Sequence, residues 1–255
     1  MPKKLAAEQV QMQFNLDDED QLSVLIDTPR LTIRSVTLAD VEYYLNLFSD
    51  SEVMKKYASG KPHTDRAAIE ARIKGWVERW GRNDPFNGLT VFDKKTGEFI
   101  GHIVLGRSDE GNGVAELAYL FHKKFWNQGI GTEAVSAVVN HYAPEIVRRN
   151  YKLDGCAFSK ITATTRVDHD FSRKVLEAVG LATNMQVNHK FGAARYIYYG
   201  NIAKLQQQKS WKNQAVRYGI GALISGIGLY AAYKMLNKGG GTPSKVVTQS
   251  NHFKL

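Results

Sequence analysis

The first regular rhythm in the chain is Arg30-Leu31-Thr32-Ile33-Arg34, where apolar and polar residues alternate with the period of a half-buried strand. Thr37-Leu38-Ala39-Asp40 follows as a capping-box-like helix start, with Leu38, Val41, Leu45 and Phe48 on one helical face. From Thr64 the apolar residues Ile69, Ile73, Trp76 and Trp80 recur at helical spacing, which predicts a second helix with its tryptophans in a core. After the break at Asn83-Asp84-Pro85, the runs 89–92 and 99–105 flank a short turn ending at Gly97 and predict a hairpin. A third run of strand character, Val114 to Phe121, leads into Trp126-Asn127-Gln128-Gly129-Ile130-Gly131, which opens a helix carrying Val135, Val138, Val139 and Tyr142. Residues 161–165 then predict a strand, 172–180 a helix ending at glycine, and 195–199 a last strand. Strands and helices alternate without a long repeat, so the class is mixed α/β. Residues 1–27 lack such rhythm and hold the acidic cluster Asp17, Asp18, Glu19 and Asp20; they are expected to form a mobile extension.

Composition sharpens this picture at two points. A single cysteine, Cys156, excludes an intramolecular disulfide framework and any multi-cysteine metal centre, and no partner marks it as a nucleophile; no metal is expected. The net charge of +9 invites a nucleic-acid reading until it is located. Eight of the 34 cations lie beyond residue 200, where there is no Asp or Glu, leaving 26 cations against 25 acids before it. The body is nearly neutral, so no nucleic-acid partner is expected. The basic tail, residues 201–255, brackets an uncharged run from Tyr218 to Tyr233. With Met235 and Leu236 it predicts an apolar helix over about 218–236, long enough to insert in a membrane if Lys234 snorkels. Gly221, Ser225, Gly228 and Ala232 form a small-residue stripe suited to self-association. The alternative is a helix packed on protein.

The chemistry centres on the turn before the long helix. Gly129 and Gly131 allow a tight turn and close approach of a ligand, while the amides of residues 127–132 converge at a helix start, an anion site that a pyrophosphate fits. Alone, Gly-x-Gly is also an ordinary helix entry. The whole run from Ala115 to Ala134, however, resembles the acetyl-CoA-binding signature of the GNAT acetyltransferase superfamily, nearest to the ribosomal-protein N-terminal (Rim-type) branch, which tolerates a tryptophan where Trp126 stands. Asp93 to Gly101 is similar to that branch's hairpin and Ser172 to Leu181 to its late helix, so the resemblance covers roughly residues 28–200.

That resemblance implies a mixed, mostly antiparallel twisted sheet flanked by helices, acetyl-CoA as co-substrate, and acetyl transfer by direct attack of an amine. The main chain at Tyr119, Leu120 and Phe121 would bind the pantetheine arm, residues Asn127, Gln128, Gly129, Ile130, Gly131 and Thr132 the pyrophosphate, and Ser172 would lie on the cofactor-binding late helix. Glu116 is the candidate base, although alternation leaves open which face of its strand meets the acceptor. His169 stands where the family usually has an asparagine; it can replace that contact or act as a base. Leu176 occupies the position that carries a general-acid tyrosine in some relatives, so protonation of the leaving thiolate is unassigned. The acceptor suggested by the branch is a protein amine, with polyamines, aminoglycosides or a catalytically silent CoA-binding module as alternatives. A membrane-associated enzyme domain facing a cytosol is expected, or a cytoplasmic one if the tail packs on protein.

Overall fold

The computed structural model describes residues 10–217, so the predicted apolar helix over 218–236 lies outside the described residues. The chain divides into Met1–Ser210 and Trp211–Leu255. Within the first unit, β1 (Gln11–Leu16), β2 (Leu22–Asp27), β3 (Leu31–Ser35), β4 (Gly88–Asp93), β5 (Phe99–Arg107) and β6 (Val114–Phe121) lie side by side, each antiparallel to the next. The sheet continues through β9 (Lys160–Arg166), β11 (Arg195–Asn201) and the edge strand β10 (Ala182–Asn188). Among the described strands of this sheet only β6 and β9 pair in parallel.

The expected mobile extension is corrected over most of its length. Leu22, Val24 and Ile26 are buried on one face of β2, the alternation of a half-buried strand. The acidic cluster before them makes a turn: Asp17 Oδ1 accepts the Glu19 and Gln21 N–H groups at 3.0 and 2.9 Å, and Asp20 adopts φ +59°. Asp and Asn tolerate such geometry, so a sequence that reads as solvated charge closes a β-hairpin.

On one face of the sheet, α1 (Val41–Ser49) packs with α3 (Arg66–Gly81), and the four-residue α2 (Ser51–Met54) follows α1 directly. Asp65 caps α3 by accepting from the amides of Ala67 and Ala68, and Ile69, Ile73, Trp76 and Trp80 are buried as their spacing predicts. Before α1, Asp40 reaches back to the Thr37 N–H at 2.8 Å and takes a two-pronged bond from Arg34. Tyr44, Leu47 and Phe48 face the core, whereas Leu38, in the preceding 3-10 turn, is exposed against expectation. On the opposite face a continuous helical stretch runs through α4 (Ile130–Ala137), a π-helical turn at Val138–Tyr142 and α5 (Ala143–Arg148). A small hairpin, β7 (Lys152–Leu153) with β8 (Cys156–Ala157), then leads to β9, α6 (Asp170–Ala178) and the two last strands. The polar helix α7 (Ile202–Arg217) and β10 had no counterpart in the sequence expectations. Cys156 is exposed and free.

His102 on β5 is 1% exposed, with neither ring nitrogen hydrogen-bonded, and it stands edge-on to Tyr44 and Phe48 at 5.3 Å between centroids. Burial, reinforced by Arg72, lowers its pKa to about 3. The folded chain therefore keeps it neutral at pH values where the unfolded chain, with a histidine pKa near 6.5, takes up a proton. Above about pH 6.5 this residue contributes no pH dependence. Below it stability falls by about 1.4 kcal/mol per pH unit from this group until roughly pH 3. Urea titrations at pH 7 and 5 are expected to differ by about 2 kcal/mol more in the native protein than in His102→Leu; equal pH dependence would refute the assignment.

Candidate functional site

The site is a consequence of how β6 meets β9. Their parallel pairing covers only Val114 with Lys160, Ala115 with Ile161, and Glu116 with Thr162. Past Glu116 the strands part, while β5 still pairs β6 as far as Phe121 and β11 still pairs β9 as far as Arg166. The main chain of Leu117–Phe121 thus has a ladder on one side and a gap on the other, the arrangement that accepts an extended ligand as an added strand. A cleft of about 680 Å³ fills this gap, lined by Leu117 to Phe121 and by Ala163, Thr164 and Thr165.

At one end lies the glycine-bearing turn. Asn127 (φ +60°) and Gly129 (φ +75°) adopt left-handed conformations that bend the chain into α4. Glu133 donates its N–H to the Gly129 carbonyl at 3.0 Å as the first helical bond, so the amides of Ile130, Gly131 and Thr132 precede the ladder and are free to bind an anion. Asn127, Gly129, Gly131 and Thr132 line the cleft. Ile130 is instead in the core, and the Gln128 side chain folds back on the Lys124 carbonyl at 2.6 Å. Any contribution from those two positions is therefore from the backbone.

Three contacts hold this turn, and sequence reasoning anticipated none of them. The Trp126 indole N–H donates to the Phe121 carbonyl at 2.8 Å, tying the turn to the end of β6. Arg30 donates to the Gln128 carbonyl at 2.9 Å and, through Nε, to Glu133 at 2.5 Å. Glu133, 7% exposed, also accepts from the Thr28 hydroxyl at 2.6 Å and from the Arg30 N–H at 3.1 Å. The only sequence signal was an acid in the first turn of a helix, a common preference. Removing the clamp should loosen the turn more than it destabilises the fold. Arg30→Ala is expected to weaken CoA binding about 10-fold by calorimetry, the loss of one or two charge-assisted hydrogen bonds; unchanged affinity would separate the clamp from the turn.

Across the cleft, the Tyr119 hydroxyl meets Ser172 on α6, 2.9 Å from Oγ and 3.2 Å from the carbonyl. Tyr119, Phe121 and Gly131 therefore lie on the α4–α6 side, since a Cβ on Gly131 would stand 3.4 Å from the Phe121 ring. Burial pushes the pKa of the Tyr119 phenol far up. His169 lines the cleft at the start of α6; burial first, then Lys56, holds its pKa down to about 4. Its ring is neutral at pH 7 and a weak proton acceptor. Leu176 is in the core.

The register also settles which way Glu116 points. Leu120 pairs with His102, whose ring is among the α1 and α3 aromatics, and Glu116 shares that face with Leu120. Its carboxylate lies on the opposite side from Tyr119, near the segment 55–58 and the turn between β10 and β11. There Lys190 Nζ stands 2.9 Å from Glu116 Oε2 and 3.4 Å from Asp109. Arg195, 4% exposed, donates to the Ala58 carbonyl at 2.8 Å, and burial lowers its pKa. The structure so brings Glu116, Tyr119, His169, Ser172 and the glycine turn to one cleft, with Glu116 on one face and the amides of Ile130, Gly131 and Thr132 on the other.

Comparison with known proteins agrees with this geometry. The model of the acetyltransferase (GNAT) domain family matches residues 30–182. The uncharacterized N-acetyltransferase p20 of Bacillus licheniformis is 30% identical over 114 residues, covering 45% of this chain and 63% of that protein. Among solved structures, the ribosomal-protein-S5-alanine acetyltransferase of Vibrio fischeri superposes with a TM-score of 0.53 at 15% identity, over 69% of this chain and 96% of that one. The spermidine N-acetyltransferase of Vibrio cholerae, in complex with CoA and spermine, gives 0.54 at 15% identity, over 69% and 97%. At such identities these two structures establish the shared fold.

Proposed function

Because the chain belongs to the acetyltransferase (GNAT) domain family, and is therefore an N-acetyltransferase using acetyl-CoA, we propose that it acetylates a primary amine of a protein that reaches the cleft from the α1–α2 side. The observation that carries this is the parting of β6 and β9 at Glu116, which leaves a carboxylate at the foot of a strand-shaped gap. When bound, acetyl-CoA supplies the activated acetyl group. The amides of Ile130, Gly131 and Thr132 receive its pyrophosphate, and the free edge of Leu117–Phe121 receives the pantetheine arm. Glu116 takes a proton from the acceptor ammonium, directly or through water, because a protonated amine has no lone pair with which to attack. A β6 amide is suited to stabilise the oxyanion.

Where Leu176 offers no hydroxyl from the helix, Tyr119 presents one from the strand, and Ser172 holds it. Burial pushes its pKa far up, and protonation of the leaving thiolate is assigned to no residue. His169 contributes a neutral polar contact.

The acceptor class follows from charge. Lys55, Lys56, Lys174 and Arg195 line the cleft against Glu52 and Glu116, a surface that repels a polycation and suits an amine within an acidic or neutral peptide. Calorimetry with CoA and turnover on peptides with free amines, beside spermidine, tests this: faster turnover of peptides is expected. Absence of CoA binding would overturn the enzyme reading, and preference for spermidine would overturn the acceptor. Membrane association rests on residues 218–236 alone; no helix among the described residues is long and apolar enough to cross a membrane. Fractionation of the full chain against one ending at Arg217, which keeps the buried Ile202 and Leu205 of α7, tests it. Full-length protein in the soluble fraction would remove that proposal.

A further inference from the structure

Lys190 occupies a singular position. It lies in the turn between β10 and β11, next to Phe191, whose φ of +60° and half-exposed ring hold the turn over the cleft. Its side chain is 28% exposed and its ammonium stands 2.9 Å from the Glu116 carboxylate, at the end of β6–β9 pairing where the gap for the pantetheine arm begins. Burial works against its charge, but Glu116 and Asp109 outweigh burial and raise its pKa. An incoming acceptor amine has to place its nitrogen against the same carboxylate. The chain's own alkyl ammonium is already there.

We propose that Lys190 is itself an acetylation site, modified by the chain's own active centre. The inference rests on the reading of Glu116 as the proton acceptor of an acetyl-CoA-dependent reaction. Glu116 takes one proton from Lys190 Nζ, whose lone pair attacks the thioester carbonyl carbon. A C–N bond forms, the C–S bond breaks, and the CoA thiolate leaves. Of the two protons that the nitrogen loses, one ends on the CoA sulfur and the other passes through Glu116 to solvent. The product amide carries no charge, so the pair with Glu116 is lost and the carboxylate is released to an external amine.

Full-length protein is incubated with acetyl-CoA as the only added reactant and followed by intact mass and peptide mapping. One acetyl group is expected on Lys190, at a rate independent of protein concentration and suppressed by excess CoA. Labelling of exposed lysines such as Lys123 and Lys124, 60% and 55% exposed, should be slower and insensitive to CoA. Glu116→Gln should slow Lys190 labelling by about 100-fold or more, and Lys190→Arg should abolish the fast, CoA-suppressed gain in mass while retaining CoA binding. The CoA competition needs no variant and so survives any loss of folding. Lys190 left unmodified by a preparation that binds CoA and acetylates peptides overturns this inference and leaves the enzyme reading standing. Labelling of Lys190 no faster than that of Lys123, with or without CoA, overturns it as well. A preparation that neither binds CoA nor acetylates any amine fails the enzyme reading first, and this inference with it.

Discussion

Glu116→Gln is expected to lower kcat by about 10² to 10⁴-fold, the usual worth of a general base, with the CoA dissociation constant unchanged. The substitution keeps the size and an acceptor oxygen of the side chain and removes its charge, and so both its capacity to take a proton and its ion pair with Lys190. Because Glu116 lies on the face away from the glycine turn, nothing in the anion site should respond. The split is the diagnostic part: a loss in kcat without a loss of CoA affinity points to proton transfer. A parallel loss of both would point to a disturbed β6. His169→Ala serves as the competing test: His169 lines the cleft from the start of α6, not from the end of the β6–β9 pairing where Glu116 stands, and its removal should cost far less. If His169→Ala proves the more damaging change, the roles assigned here are reversed.

What the sequence made legible was whatever leaves a local trace. The helical spacing of Ile69, Ile73, Trp76 and Trp80, the hairpin around Gly97 and the glycine turn before α4 all appear where periodicity and turn chemistry put them. The strands β1 and β10 were missed for a physical reason. Both are edge strands with much of their side-chain surface in water, so neither carries a strong apolar alternation. β10 also has a register shift between Thr183 and Val187, with Met185 at φ +62°. β2 does alternate, but the acidic turn beside it resembles disordered sequence until Asp17 is seen capping two amides. In the site, the turn was legible and its support was not. Arg30 and Glu133 are 103 residues apart in the chain, as Glu116 and Lys190 are 74, and no local pattern announces a partner at that distance.

Gly101→Ala is expected to destabilise the domain by about 3 kcal/mol, the upper range for a small residue forced to grow in a packed interior. Thermal unfolding should accordingly fall by roughly 6 to 12 °C for a domain of this size. The residue lies opposite Phe121, at the end of the β5–β6 ladder and beside a register slip in the β4–β5 pairing. A Cβ there would stand 2.1 Å from the Leu120 carbonyl oxygen and 2.8 Å from the Phe121 Cα. These are backbone atoms that no rotamer change can move, and φ at Gly101 is +156°. Relief therefore requires β6 to shift away from β5 at the stretch proposed to bind pantetheine, and the Phe121 carbonyl, which anchors Trp126, would move with it. CoA affinity should drop along with stability. Gly97→Ala separates strain of conformation from collision: at φ +70° with open space around it, it should cost only about 1 to 2 kcal/mol and leave CoA binding intact. Equal effects of the two substitutions on CoA affinity would show that the close approach of β5 to the end of β6 does not shape the cofactor cleft.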